Sequence, residues 1–259
     1  MARRRNRGTC IFCGNTADSK EDAIPKWIRP LLTKPTDARI KKRRRYGGVQ
    51  QPDRLEDTIV LAVRNHVCQT CNNGWMSDLQ QLAQPTLGPM IAGTPLSIPT
   101  GGQLALAAWL TMTDMVLEAE SREPAYYTQL ERTALAASGT APDRTTLWLA
   151  KRSSSLQVAR GYSGNITFAQ AMAPDVMVVN GHTCTLSIGQ AVLQNLICRP
   201  VEGKPWPRIA DDAGVAERWR DSTIKIDGPP DATVTWPPIV PLDDLGLLAL
   251  THRWRHLGK

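Results

Sequence analysis

Two pairs of cysteines limit what this chain can fold into more than any other feature of its sequence. Each pair has two residues between its members, Cys10 with Cys13 and Cys68 with Cys71. That spacing places two thiolates one tight turn apart, so the two pairs can supply the corners of a tetrahedral zinc site. We predict a closed, structural Zn²⁺ site at these four residues, with Gly14 in the left-handed conformation that such a turn needs. The alternative is four free cysteines in a core.

The composition is that of an ordinary globular protein, with 42% hydrophobic and 21% charged residues among 259. This length suits one large domain or two. No apolar run approaches the ~18 residues of a membrane span, and the basic start MARRRNRGTC lacks the apolar segment of a secretory signal. We therefore expect a cytoplasmic protein without a membrane partner. Thiols stay reduced in that compartment, so paired cysteines favour a metal over a disulfide. The oligomeric state is not indicated.

Positive charge is concentrated near the N-terminal end of the sequence. Residues 1–50 hold 14 Lys and Arg against 4 acidic residues, a net charge of +10, whereas the remaining residues carry −3. Two basic runs dominate this excess, and they contain Arg3, Arg4 and Arg5, and Lys41, Lys42, Arg43, Arg44 and Arg45. Such runs bind polyanions by releasing counterions, so we expect a nucleic-acid partner, DNA rather than RNA. The alternative is a solvated arm and loop.

The chain as a whole predicts an α+β protein in two parts. Residues 1–85 are expected to form a small zinc module with a basic arm, and residues 33–54, which are polar and basic, are expected to form an inserted loop within it. Residues 86–259 are expected to form a larger α+β domain with a mostly antiparallel sheet. The sequence identifies no role for this second part.

Helices are predicted at four places. A short helix is expected to begin at Trp75, directly after the second cysteine pair. Apolar residues at helical spacing predict a nearly buried helix within residues 101–120. A further helix is predicted over residues 126–137, since Ser138 and Gly139 are typical of a helix end. The segment LDDLGLLALTHRW predicts a closing helix.

The remaining segments predict strands, because they are short, rich in β-forming residues and separated by turn residues. They read TTLWLA, SLQVAR, DVMVV, CTLSI, AVLQNLIC, TIKID and ATVTW. A two-residue hairpin turn is expected at residues 189–190, with glycine first. Its register pairs Cys184 with Asn195 and Cys198 with Gly181, so the last two cysteines do not face each other. We predict that both are small buried hydrophobic residues.

The order CIFCG, KEDAIPKWI and VCQTCNNGWMS, within residues 10–80, resembles the zinc-stabilised branch of the HNH endonuclease family. The resemblance implies a ββα-metal fold built on a treble-clef zinc knuckle, with Mg²⁺ or another divalent cation as the catalytic metal. It also implies roles for single residues. Glu21 matches the metal-binding acid, Asp22 the general base and Asn72 the metal ligand on the helix.

The general base of that family is a histidine, and here Asp22 stands in its place. The ordinary pKa of Asp lies about 2.6 units below that of His, and a general base contributes roughly 10²–10⁴ in rate. The resemblance therefore implies a metal-dependent endonuclease with weakened or lost activity. The alternative is a non-catalytic, zinc-stabilised nucleic-acid-binding protein. In a third interpretation, the function belongs to residues 86–259 and the cysteine pairs only stabilise the fold.

Overall fold

The computed structural model describes the protein with several gaps. It describes residues 8–22, 24–32, 40–42, 45–46, 49–50, 54–56, 62–64, 66–119, 124–143, 145–154, 159–172, 175–199, 219–227 and 232–253. Over this part of the chain, helices are combined with antiparallel sheets, as the predicted α+β class requires. No helix within these ranges is both long enough and apolar enough to cross a membrane.

The N-terminal part contains short strands that pair over long sequence distances. The strands are β1 (Lys20–Asp22), β2 (Ile40–Lys42), β3 (Arg45–Tyr46), β4 (Val49–Gln50), β5 (Arg54–Glu56) and β6 (Ala62–Arg64). β1 pairs with β6, β2 with β5 and β3 with β4, all antiparallel. The prediction of an inserted loop over residues 33–54 was therefore wrong for β2, β3, β4 and the first residue of β5. The signal passed over was the pair Gly47-Gly48 between two β-forming residues, which is typical of a two-residue hairpin.

Two helices follow the second cysteine pair, α1 (Gln69–Asn73) and α2 (Trp75–Ala92). A helix was predicted to begin at Trp75, but the prediction that it is short was wrong, because α2 continues through Pro85 and Pro89. Proline removes a helical hydrogen bond, but α2 persists because its inner face is buried. The buried side chains on this face are Met76, Leu79, Ala83, Thr86, Leu87, Met90 and Ile91.

The boundary expected after residue 85 falls inside α2. Buried side chains from both sides of that boundary belong to one hydrophobic cluster, which contains Phe12 and Ile28 as well as Trp109 and Leu193. Trp27 and Trp75 pack against the same cluster, and the Trp75 ring meets Phe12 edge-on. The division into two domains stays a prediction.

Three further helices are α3 (Thr100–Ala119), α4 (Gln129–Ser138) and α5 (Asp244–His252). α3 is buried along most of its length, as predicted, although Leu104 is 45% exposed. α4 begins three residues later than predicted, because Thr128 and Glu131 form a capping box there. It ends before Gly139, whose φ of 64° is left-handed.

The sheet of the second part has five antiparallel strands in the order β12-β8-β11-β10-β9. Its members are β8 (Thr146–Lys151), β9 (Ala159–Met172), β10 (Asp175–Ile188), β11 (Ala191–Arg199) and β12 (Ile224–Asp227). A separate pair is formed by β7 (Leu96–Ile98) and β13 (Val234–Trp236). α2 packs against α3, and α3 packs against β9, β10 and β11, so the main core lies between these helices and the sheet.

The hairpin register of β10 and β11 was predicted correctly. Ile188 pairs with Ala191, and Cys184 pairs with Asn195. Cys198 pairs with Gly181, as predicted, and both cysteines of this sheet are free and buried. Two predictions in this region were wrong. β9 was missed beyond its first two residues, and the segments DVMVV and CTLSI are parts of the single strand β10.

Candidate metal centre and its surroundings

Four cysteine sulfurs come together where the N-terminal segment meets α1. The sulfurs of Cys10, Cys13, Cys68 and Cys71 all lie within 4.8 Å of one another, and those of Cys13 and Cys68 are 3.5 Å apart. A Zn–S bond of about 2.3 Å in tetrahedral geometry separates sulfurs by about 3.8 Å. Three of the cysteines are buried, and Cys13 is exposed. The cluster could hold a metal ion such as zinc.

The first pair is shaped by a tight backbone turn. The backbone N–H of Gly14 donates to the carbonyl of Cys10 at 3.0 Å, and the N–H of Cys10 donates to the carbonyl of Asn15 at 2.7 Å. Gly14 has a φ of 77°, which confirms the predicted left-handed conformation. A side chain at this position would strain the turn, because the left-handed conformation favours glycine.

The second pair is shaped by the start of α1. Cys68 is the N-cap of this helix, and its sulfur accepts a hydrogen bond from the backbone N–H of Cys71 at 3.4 Å. Two backbone hydrogen bonds join this segment to the first pair: Ile11 donates to His66 at 2.9 Å, and Ser19 donates to Val67 at 3.1 Å. Backbone hydrogen bonds therefore hold the two cysteine pairs next to each other.

The thiols of the cluster differ in acidity. Burial alone raises the pKa of Cys10, but backbone N–H groups of Cys13, Phe12 and Cys68 outweigh it and lower that pKa to about 7. Burial and neighbouring sulfurs raise the pKa values of Cys13 and Cys71. Several thiolates so close together need a cation to offset their charge, and metal binding supplies it while releasing the thiol protons.

Asn72 directly follows Cys71 and lies on α1, as the family resemblance implies. Its Nδ2 donates to Oγ of Ser19 at 3.2 Å, and Ser19 directly precedes β1. In β1, Glu21 pairs with Val63 of β6. The structure therefore brings Asn72 next to the start of the strand that contains Glu21 and Asp22. The side chains of these two residues lie outside what the structure describes, so their part in a site stays a prediction.

Asp18 was missed by the sequence analysis, although it contributes to this junction. Its Oδ1 accepts a hydrogen bond from the backbone N–H of Gln69 at 2.9 Å, at the first residue of α1. A carboxylate at a helix N-terminus is stabilising because of the helix dipole. Asp18 is 51 residues away from Gln69 in sequence, so no local pattern could have identified it as a cap.

The expected nucleic-acid-binding residues lie mostly outside the described part of the chain. This holds for Arg3, Arg4, Arg5, Arg43 and Arg44. For the remaining three the structure describes the backbone alone: Lys41 and Lys42 are in β2, and Arg45 is in β3. The nucleic-acid contact of both basic runs stays a prediction.

A buried polar network in the second part of the chain was not anticipated from the sequence. The carboxylate of Asp114, in α3, is completely buried. It accepts from Tyr127 Oη and Ser163 Oγ, both at 2.7 Å, from His182 Nε2 at 3.0 Å and from Asn195 Nδ2 at 3.2 Å. Burial alone raises the pKa of this carboxyl, but the charge of His182 and the hydrogen bonds outweigh it, so the pKa is lowered.

His182 has an acceptor at each ring nitrogen. Its Nε2 lies 3.0 Å from Asp114, and its Nδ1 lies 2.7 Å from Oδ1 of Asn165. The amide nitrogen of Asn165 donates to the carbonyl of Pro124 at 2.9 Å, which sets the orientation of the amide. Each ring nitrogen therefore lies within hydrogen-bond distance of an oxygen acceptor, and an imidazolium would donate to both. The ring of Tyr126 stacks on it, with 5.5 Å between centroids.

The serine, histidine and aspartate of this network do not form a hydrolase triad. In a triad, the nucleophile and the acid lie at opposite nitrogens of the imidazole. Here Ser163 Oγ and Asp114 Oδ1 both lie at Nε2 of His182, at 3.1 and 3.0 Å. The network therefore attaches α3 to the sheet and does not activate a nucleophile.

Two further ion pairs extend the network to α4. Glu118 of α3 pairs with Arg132 of α4, and Glu131 of α4 pairs with Arg199 of β11. The Glu118–Arg132 pair is buried, and buried charges are tolerated when they are paired and hydrogen-bonded, whereas the Glu131–Arg199 pair is partly exposed. α4 is therefore fixed between α3 and the sheet.

The chain has no significant match among protein-family models, curated proteins or solved structures. The resemblance to HNH endonucleases consequently rests on the motifs within residues 10–80.

Proposed function

We propose that the chain is a zinc-stabilised, HNH-type metal-dependent endonuclease that acts on nucleic-acid phosphodiesters. The observation that carries this proposal is the junction between the four-cysteine cluster and the Asn72–Ser19 hydrogen bond. In this junction Asn72, which directly follows Cys71, lies beside the start of the strand that contains Glu21 and Asp22. The motif order implies the same arrangement of helix and strand.

The proposed structural metal is Zn²⁺. A donor set of four sulfurs suits zinc and not magnesium, which prefers oxygen ligands. The separations of the sulfurs are compatible with a tetrahedral site, and most of the cluster is shielded from water. With zinc bound, the first cysteine turn, the β1–β6 pair and α1 would form a treble-clef module of the ββα-metal type.

The proposed catalytic groups come from β1 and α1. The side-chain N–H of Asn72 donates to Ser19. The side-chain carbonyl oxygen of Asn72 therefore stays available as a ligand for a hard cation. Glu21 would supply a carboxylate oxygen to the same cation, Mg²⁺ or another divalent ion, which stabilises charge on the phosphate when bound. Asp22 would accept the proton of the attacking water as the oxygen adds to phosphorus and the bond to the leaving oxygen breaks.

A second candidate function is nucleic-acid binding without catalysis. The observation in its favour is Asp22 itself, because a carboxylate with an ordinary pKa is a much weaker base than imidazole. In this case, the zinc module and the basic runs would bind nucleic acid, and the remains of the cleavage site would have no catalytic role.

Plasmid nicking separates the two functions. The endonuclease proposal predicts nicking of supercoiled DNA with Mg²⁺ or Mn²⁺ that stops with EDTA and in Glu21→Ala and Asn72→Ala. Asp78→Asn is the matched control, since Asp78 is an exposed acid on α2. It should retain full activity.

The Asp22→His variant completes this test. A gain of roughly 10²-fold in nicking is expected, because a histidine base restores part of the 10²–10⁴ that general-base catalysis contributes. DNA binding with no nicking by either the original chain or Asp22→His would favour the second candidate function. Neither nicking nor binding would overturn both.

A further inference from the structure

One helix of the second part of the chain contacts the backbone of the first cysteine turn. The side-chain amide of Gln129, in α4, donates to the carbonyls of Ile11 and Phe12 at 3.1 and 3.4 Å. The hydroxyl of Thr133, one helical turn later, donates to the Phe12 carbonyl at 3.3 Å. Both residues lie more than 110 positions away from the turn in sequence, with separations of 118, 117 and 121 for the three contacts.

These two carbonyls belong to peptide groups of the first cysteine turn, between Cys10 and Cys13, and in a trans peptide group the N–H points away from the carbonyl. The peptide group with the Ile11 carbonyl contains the N–H of Phe12, and the one with the Phe12 carbonyl contains the N–H of Cys13. Hydrogen bonds from both N–H groups are among the causes that lower the pKa of the Cys10 thiol. A hydrogen bond at the carbonyl polarises a peptide group and strengthens its N–H as a donor. α4 therefore acts on the sulfur through the backbone.

α4 is held firmly enough to fix these contacts. Its first turn is closed by the capping box between Thr128 and Glu131. Ion pairs from Glu131 to Arg199 and from Arg132 to Glu118 attach it to β11 and α3. Gln129 and Thr133 thus project from a helix that is attached to α3 and β11 independently of its contacts with the cysteine turn.

We propose that Gln129 and Thr133 are positioning residues of the four-cysteine metal site. This inference rests on the proposed function, in that it requires the cluster to bind zinc. A zinc ion with four thiolates carries a net charge of −2, and N–H donors aimed at the sulfurs stabilise that charge. The hydrogen bonds from α4 strengthen these donors and preorganise the turn, so they raise the affinity for the metal.

The test is zinc affinity of the full chain, measured by competition with a chromophoric chelator at fixed pH. Gln129→Met keeps the length of the side chain and removes the donor. It should weaken zinc binding about tenfold, the lower end of what groups around the ligands contribute. Gln129→Glu places an acceptor against two carbonyls and should weaken binding further. Thr133→Val should weaken it to a smaller extent.

The matched control is Gln81→Met, since Gln81 is an exposed glutamine on α2 that bonds only to Ser77 among the contacts described for it. It should bind zinc as tightly as the original chain. A spectroscopic readout distinguishes action on the sulfur from mere docking of α4. With Co²⁺ in the site, the sulfur-to-metal charge-transfer band should move to lower energy in Gln129→Met, because weaker N–H donors leave more electron density on the sulfur.

Two results would overturn the inference while the proposed zinc site stands. One is an unchanged zinc affinity in Gln129→Met and Thr133→Val. The other is a reduced affinity with an unshifted Co²⁺ band, which would mean that α4 acts only by packing. An original chain that binds no zinc would instead overturn the zinc site itself.

Discussion

Among the residues that the structure describes, Asp114 combines complete burial with hydrogen bonds from four different side chains. Its carboxylate is completely buried and accepts four hydrogen bonds, one of them from the ring of His182. Removing one partner of a buried ion pair typically costs about 3–5 kcal/mol, because the other charge is left without compensation. We therefore expect Asp114→Asn to lower the free energy of unfolding at pH 7 by about that amount.

The lowered pKa of Asp114 predicts that the free energy of unfolding falls as the solution becomes acidic. The pKa of Asp114 is lowered in the folded chain, so its contribution is complete above the ordinary Asp value of 3.8 and is lost as the pH falls through the lower, folded value. Chemical denaturation at a series of pH values should show a steeper loss below pH 4 in the original chain than in Asp114→Asn. Asp78→Asn, at an exposed position, should follow the original chain. Equal acid slopes in the original chain and in Asp114→Asn would contradict the assigned role.

At the scale of elements, the positive charge of the segment that contains β2 and β3 leads to a prediction about nucleic-acid binding. Replacing Lys41, Lys42 and Arg45 by Gln removes three positive charges. If this run contacts phosphates, binding to DNA should weaken regardless of base sequence, and the slope of log K against log salt should become shallower by about 1 for each lost contact.

The measurement for this segment is DNA affinity at several salt concentrations. Arg220→Gln, an exposed residue in the second part of the chain, serves as the control and should leave the slope unchanged. An unchanged slope in the triple variant would mean that this segment does not contact phosphate.

Some elements could be predicted closely because their signals are local. The β10–β11 hairpin follows from a glycine at the first turn position, whose φ of 56° is left-handed, between two β-rich runs. Both cysteine turns follow from the spacing of the cysteines, and the first turn follows from Gly14 as well. In each case, the residues that decide the structure are close together in sequence.

Other elements depend on distant partners, and no local pattern reveals them. β9 contains Gly161, Gly164 and Asn165, which are poor strand formers, and it is a strand because it pairs with β10 along its whole length. α2 continues through two prolines because burial of its inner face outweighs the lost hydrogen bonds. The network around Asp114 joins residues up to 81 positions apart.

At the scale of the whole molecule, the shared core links the metal site to the sheet. One cluster of buried side chains includes Cys10 and Cys71 of the metal site, Trp109 of α3 and Leu193 of β11. Loss of zinc should therefore destabilise the second part of the chain as well as the first. Each kcal/mol shifts the melting temperature of a chain of this size by about 2–4 °C, so we expect chelation to lower it by roughly 10 °C or more.

Scanning calorimetry with and without a chelator checks this expectation. A single transition that moves as a whole is the expected result. Two transitions, the second with a melting temperature that the chelator does not change, would contradict the coupling. That result would support the predicted division into two independent domains.

The account depends most directly on one zinc ion held by four sulfurs, and elemental analysis of the purified chain tests it. The account predicts about one zinc per chain, retained in Cys198→Ser, which alters a buried cysteine of the sheet. Zinc should be lost or greatly reduced in Cys68→Ser and Cys71→Ser. A chain without zinc, or equal zinc contents in Cys68→Ser and Cys198→Ser, would contradict the account.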